Sequence, residues 1–92
     1  MDLKECRQKI NEIDLKMANL FEERMEVIGH IIEYKIDNNL PILDSNREKE
    51  VIEKNTNYIR NNNLKKYYQE FITSTMKISK EYQKEIKENK QK

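Results

Sequence analysis

The chain has 92 residues, enough for one domain, and is 36% hydrophobic and 38% charged, with one Gly, one Pro and no Trp. These proportions are typical of long-helix and coiled-coil proteins and disfavour a sheet protein, which needs turns. The 18 basic and 17 acidic residues are interspersed and leave a net charge of +1. This balance disfavours a surface for nucleic acid or for anionic membrane.

Cysteine content and hydropathy restrict the compartment. The single cysteine, Cys6, excludes an internal disulfide and suits a reducing environment. No apolar run approaches transmembrane length, and the N-terminal "MDLKECRQKI" lacks the apolar core of a signal peptide. We therefore expect a soluble cytoplasmic protein with one domain over residues 1–92 and no regulatory or second catalytic domain.

The first predicted element is a long helix from about Asp2 to about Ile36. Its apolar residues alternate at spacings of three and four, at Leu3, Cys6, Ile10, Ile13, Met17 and Leu20. A helix of this length spans ~50 Å. Two shorter helices cannot cover such a stripe in a small chain, so we expect a second copy of the chain to cover it.

Two shorter helices complete the predicted all-α fold of three helices per chain. "DNNLPILDSN" breaks the first helix, because Asn38 and Asn39 favour a helix end and Pro41 biases its predecessor away from helix. The second helix starts near Ser45 and stops at "NNN", Asn61 to Asn63. The third runs from about Leu64, and the charged "KEIKENKQK" at the end is expected to fray into solvent.

Arg24 falls where the apolar seam of the first helix should continue. One interpretation is a register device, a polar residue kept at a core position at a cost in stability. The other is a helix that lines a polar cavity. Lys35 lies eleven residues further on, and eleven steps of 100° return within about 20° of the direction of Arg24. Two cations about three turns apart on one face suit an elongated anion. Arg7 lies roughly 100° away and could reach only a partner's cavity.

The other helices also carry polar residues on inward faces. Ser45 and Glu48 match a capping box, but Glu48 also continues the inward stripe of the second helix. Ser79 and Gln83 extend the apolar line of the third helix, although Gln83 could instead sit at an exposed, fraying end. Because all three helices show this pattern and cations outnumber carboxylates, we expect a cavity for a small dianion.

These polar positions also form a pattern along almost the whole chain: Arg7, "ER" ending at Arg24, Lys35, "D..RE" from Asp44 to Glu48, and "S...Q" at Ser79 and Gln83. The pattern resembles the all-helical AroQ-type chorismate mutases. The resemblance implies an intertwined homodimer that converts chorismate to prephenate, a Claisen rearrangement in Phe and Tyr biosynthesis. It also implies that neither a metal nor a cofactor is needed.

By position, the resemblance implies that Arg24 and the partner's Arg7 hold the two carboxylates of chorismate. Lys35 and Gln83 would donate hydrogen bonds to the ether oxygen, where negative charge develops.

The remaining matched positions would serve the substrate's other polar groups. Glu48, assisted by groups near Asp44, would accept a hydrogen bond from the ring hydroxyl. Arg47 and Ser79 would complete the pocket for the carboxylates. His30 and Cys6 receive no catalytic role.

Two other functions stay open at this point. An isochorismate pyruvate lyase would share the fold and much of the cation set, but "D..RE" and the Ser79/Gln83 pair favour the mutase. A non-catalytic helical dimerisation module, with Arg24 as its register device, belongs to a different functional class.

Overall fold

The structure, a computed structural model, describes residues 1–91 as three α-helices, with no strand in that part of the chain. Helix α1 is Leu3–Asp37, α2 is Ser45–Asn57 and α3 is Lys65–Lys90, preceded by a short 3-10 turn at Asn62–Leu64. The predicted all-α fold of three helices is confirmed.

Side-chain and backbone caps fix both ends of α1. The Asp2 carboxylate accepts a hydrogen bond from the Glu5 amide at 2.8 Å. At the other end, Asn39 adopts a φ of 55°, a left-handed conformation that Asn tolerates better than most residues. The amides of Asn39 and Leu40 return to the carbonyls of Ile36 and Lys35, which is the Schellman arrangement. The predicted helix end at Asn38 and Asn39 is confirmed.

The cap of α2 differs from the capping-box interpretation. Asp44, one residue before the expected start, accepts a hydrogen bond from the Arg47 amide at 3.0 Å. Ser45 is therefore the first residue of the helix, so the predicted start near Ser45 is confirmed. The alternative interpretation of Ser45 and Glu48 as a capping box is wrong, because Asp44 supplies the cap.

The end of α2 also comes earlier than predicted. The helix stops at Asn57, before Asn61 to Asn63. Asn61 instead accepts a hydrogen bond from the Asn63 amide at 3.0 Å and begins the 3-10 turn that leads into α3.

The end of α3 is also longer than the sequence indicated. Residues 84–90 are helical, so the expectation that they fray is wrong, while Lys92 lies outside the described residues. The Lys90 ammonium lies 3.8 Å from the Glu33 carboxylate of α1. Lys87 and Lys90 also suit the negative end of the helix dipole.

Helix α3 packs against both other helices. Between α1 and α3, the contact of Arg24 with Ser79 is followed by that of Glu33 with Lys90, so residue numbers rise together and the two helices run in the same direction. Helix α2 runs the opposite way, because Glu48 meets Lys80 while Thr56, further along α2, borders the same groove as Gln69.

The core of the described chain is thin. Ile32 and Ile72 are its buried apolar residues, and Ser79 and Gln83 are buried polar ones. The radius of gyration is 16.5 Å, against about 12 Å expected for a compact domain of this length. The chain is therefore elongated, and most of its apolar residues are not covered by the chain itself.

In the first part of α1, the side chains are exposed to solvent, and no other part of the described chain buries them. Residues 1–23 are all exposed, including the predicted stripe of Leu3, Cys6, Ile10, Ile13, Met17 and Leu20. None of the helices within residues 1–91 has the length and apolarity that crossing a membrane requires.

Candidate active site

A cavity of about 550 Å³ lies where the three helices meet. Seven of the eight residues predicted from the sequence line it: Arg24, Lys35, Asp44, Arg47, Glu48, Ser79 and Gln83. Most of the other residues that line the cavity are apolar: Val27, Ile28, Ile31, Ile42, Val51 and Met76. The cavity therefore combines convergent polar groups with an apolar lining, as small-molecule sites usually do.

Helix α1 supplies two cations to this cavity. The Arg24 guanidinium donates to the Ser79 hydroxyl oxygen, and that hydroxyl donates to the Thr75 carbonyl at 2.9 Å. The Lys35 ammonium donates to the Ile42 carbonyl at 2.9 Å. Within residues 1–91, neither cation forms an ion pair. Both side chains line the cavity, and their predicted alignment on one face is confirmed.

The start of α2 contributes two more of the predicted residues. The Asp44 carboxylate is occupied by capping the helix. Arg47 pairs with Glu50 at 3.0 Å, but both side chains are more than half exposed. Such a surface pair contributes little free energy. Arg47 is therefore available to a ligand at small cost.

Glu48 faces the cavity and meets a residue that the sequence did not single out. The Lys80 ammonium lies 2.8 Å from Glu48 Oε1. Oε1 is buried, yet the angles of this contact are not those of a hydrogen bond. The contact is an ion pair, since the two groups have opposite charges and lie close together. The position of Lys80, between Ser79 and Gln83, was the available clue, but lysines are frequent along this helix.

Gln83 is buried, with a relative exposure of 6%, so the alternative of an exposed, fraying position is wrong. Its Oε1 has no hydrogen-bond partner among residues 1–91. A buried amide without a partner costs about 1–3 kcal/mol. The Gln83 side-chain carbonyl oxygen is thus held in the cavity wall without a donor among the described residues.

Arg7 does not reach this cavity. It is exposed and precedes Arg24 by 17 residues on the same helix, which is ~25 Å at 1.5 Å per residue. The expectation that Arg7 lies outside the cavity of its own chain is confirmed.

The charges of the lining favour an anion. Four cations and three carboxylates border the cavity. Of the carboxylates, Asp44 caps α2 and Glu48 pairs with Lys80, whereas Arg24 and Lys35 have only neutral partners. The arrangement suits a small dianion that has an apolar part.

Comparison with known proteins decides the family. The model of the family described as chorismate mutase type II matches residues 6–84, a range that includes all eight predicted positions. The chain belongs to the chorismate mutase type II family. The resemblance found in the sequence is confirmed, and neither the lyase nor the non-catalytic module is favoured by the match.

Two bifunctional chorismate mutase/prephenate dehydratases from Buchnera aphidicola are similar to this type II chain. The protein of subsp. Schizaphis graminum (strain Sg) is 43% identical over 67 residues, 73% of this chain and 17% of the relative. That of subsp. Acyrthosiphon pisum (strain APS) is 39% identical over 62 residues, 67% of this chain and 16% of the relative. The chain thus matches about a sixth of the length of these relatives. No solved structure matches it.

The side-chain carbonyl oxygen of Gln83 has no partner among the described residues, so its removal should stabilise the protein. Gln83→Leu keeps a similar volume and should raise the free energy of unfolding by about 1 kcal/mol, since no buried polar atom is left without a partner. Urea denaturation of the ligand-free protein measures this. Gln69→Leu, at an exposed position of α3, is the control and should stay within about 0.5 kcal/mol. A loss of stability in Gln83→Leu would mean that the amide has a partner.

Proposed function

We propose that this chain catalyses the rearrangement of chorismate to prephenate in the cavity between its three helices. The observation that carries the proposal is that Arg24 and Lys35 both line one cavity with largely apolar walls. Each of these two cations has only a neutral hydrogen-bond partner. Membership of the chorismate mutase type II family supports chorismate as the dianion that they bind.

The chemistry needs no nucleophile and no obligatory proton transfer, because the rearrangement is unimolecular and pericyclic. The enzyme has to hold the compact conformer of chorismate and stabilise the charge that separates as the C–O bond breaks. Fixed donors in a water-poor cavity typically contribute about 3 kcal/mol each. A rate enhancement of ~10⁶ needs about 8 kcal/mol. Two or three such donors together with conformer selection are sufficient.

The donors on α1 and α3 have the placement for these tasks. Arg24 would exchange the Ser79 hydroxyl for a substrate carboxylate. Lys35 would turn from the Ile42 carbonyl to the ether oxygen, and the Gln83 amide nitrogen would donate a hydrogen bond to that same oxygen.

The groups at the start of α2 would hold the remaining polar parts of the substrate. Glu48, near Asp44, would accept a hydrogen bond from the ring hydroxyl. Arg47 would leave its exposed ion pair with Glu50 and bind a carboxylate of the substrate.

The second part of the proposal is an intertwined homodimer in which the partner's Arg7 completes each cavity. Two observations support it. The apolar stripe at the start of α1 has no cover within the described chain, and Arg7 lies on this same exposed segment. A second copy that buries the stripe would carry its own arginine across to the cavity of the first.

The direct test follows the loss of chorismate and the product formed. The purified protein should produce prephenate above the spontaneous rate, and Arg24→Ala should lower kcat/KM by about 10²–10³-fold, the usual effect of removing one partner of a largely buried charge pair. Circular dichroism should show that the fold is kept. Arg60→Ala, an exposed arginine outside the cavity, is the matched control and should keep full activity.

The outcomes separate the three candidate functions. Absence of prephenate contradicts the mutase. Release of pyruvate from isochorismate without prephenate formation identifies the lyase instead. An inactive protein whose Arg24→Ala variant forms an equally or more stable dimer supports the non-catalytic module.

Mixing two inactive variants tests the shared site. Arg7→Ala and Arg24→Ala should each lose activity alone. In a symmetric dimer, random exchange of subunits restores about a quarter of the sites, because one site of each mixed dimer has both arginines intact. The measurement is prephenate formation after the two proteins are unfolded together and refolded. If the mixture is no more active than the variants alone, each cavity uses one chain only.

Replacing the neutral amide at Gln83 tests its role as a donor. Gln83 donates at any pH, so the native activity should show no acid optimum. Gln83→Glu donates only when its carboxyl is protonated, so its activity should rise as pH falls through the pKa of that carboxyl. Profiles of kcat/KM against pH for both proteins measure this. A flat profile for Gln83→Glu would contradict the assigned role.

A further inference from the structure

Lys80 is a cation that lines the cavity, and the proposed function assigns it no role. Its ammonium lies 2.8 Å from Glu48 Oε1, and the side chains of Lys80 and Glu48 are 33% and 26% exposed. The pair joins α2 to α3 across the cavity wall. It is therefore shielded from water more than the Arg47–Glu50 pair, whose side chains are 60% and 65% exposed.

The two oxygens of the Glu48 carboxylate are placed differently. Oε1 is buried and lies against Lys80, whereas Oε2 is not buried in this way. No hydrogen bond within residues 1–91 reaches Oε2. Lys80 thus holds one oxygen and leaves the other able to accept a hydrogen bond from a ligand.

Glu48 is also a negative charge in the wall of a cavity that suits a dianion. Without a partner, it would repel the carboxylates of the ligand or attract Arg24 or Lys35 away from them. Asp44, the neighbouring carboxylate, is already satisfied by the amide of the α2 cap. Glu23, the third carboxylate of the wall, is exposed, so water screens its charge. Glu48 is half-buried and is therefore the carboxylate in this wall for which a neutralising cation has a use, and Lys80 is the cation in contact with it.

We propose that Lys80 is a positioning residue that fixes and neutralises Glu48, so that Glu48 can accept the ring hydroxyl of chorismate without repelling the dianion. The proposal rests on the proposed function for the identity of the substrate. Lys80 itself touches Glu48 and acts on the substrate only through it.

The test is a cycle of four proteins: native, Lys80→Met, Glu48→Gln and the double variant. Lys80→Met should raise KM about fivefold, the upper end of what an incompletely buried charge pair contributes, with kcat little changed. The reason is that the hydroxyl and carboxylates are held alike in the ground state and the transition state. In the Glu48→Gln background, Lys80→Met should change KM by no more than about twofold, since the neutral amide needs no cation.

Two further variants separate positioning from a general effect on folding. Lys80→Arg retains the charge and should restore most of the native KM. Lys77→Met, an exposed lysine of α3 outside the cavity, should leave KM unchanged. Urea denaturation of each variant confirms that a folded protein is compared.

The cycle is also measured on the dissociation constant of isophthalate, an unreactive ring dicarboxylate, by calorimetry. Lys80→Met should weaken isophthalate binding in the native background and not in the Glu48→Gln background. If the native protein forms no prephenate, the proposed function fails while this cycle still decides the role of Lys80. Equal losses in the two backgrounds, or no loss in the native one, overturn the proposal.

Discussion

The architecture depends on α3, against which the other two helices pack separately. Within the described residues, α1 and α2 each contact α3 but do not pack on one another. The space that separates α1 from α2 is the cavity, and the buried positions Ser79 and Gln83 of α3 form part of its wall. The same helix therefore keeps the two outer helices apart and supplies polar groups to the space between them.

The polar groups of the cavity are held by partners that cost little to exchange. Arg24 rests on a hydroxyl and Lys35 on a backbone carbonyl, both neutral oxygens. A carboxylate or a developing oxyanion is a better acceptor than either, because a charge-assisted hydrogen bond is roughly twice as strong as a neutral one. The donors are thus held at the cavity before a ligand arrives, and exchange of their neutral acceptors for an anionic one is favourable.

Helical periodicity was sufficient to predict part of this site. Eleven residues bring a helix almost back to the same direction, so Arg24 and Lys35 could be placed on one face without a structure. The start of α2 was harder, because a shift of one residue in the cap, from Ser45 to Asp44, decides whether Glu48 caps the helix or faces inward. Lys80 could not be identified, because only the packing of α2 on α3 distinguishes it from the other lysines. The same holds for the end of α3, because its local charge predicts fraying, whereas the Glu33 of α1 that it approaches is distant in sequence.

Lys35 belongs both to the cavity and to the end of α1. Its backbone carbonyl accepts the Leu40 amide that closes the helix, and its ammonium holds the Ile42 carbonyl of the following loop. The left-handed Asn39 makes this closure possible. One residue therefore links the shape of a surface loop to the position of a cation in the cavity. Changes in the loop sequence are consequently not neutral towards the site, and this loop has less freedom to vary than its exposure alone suggests.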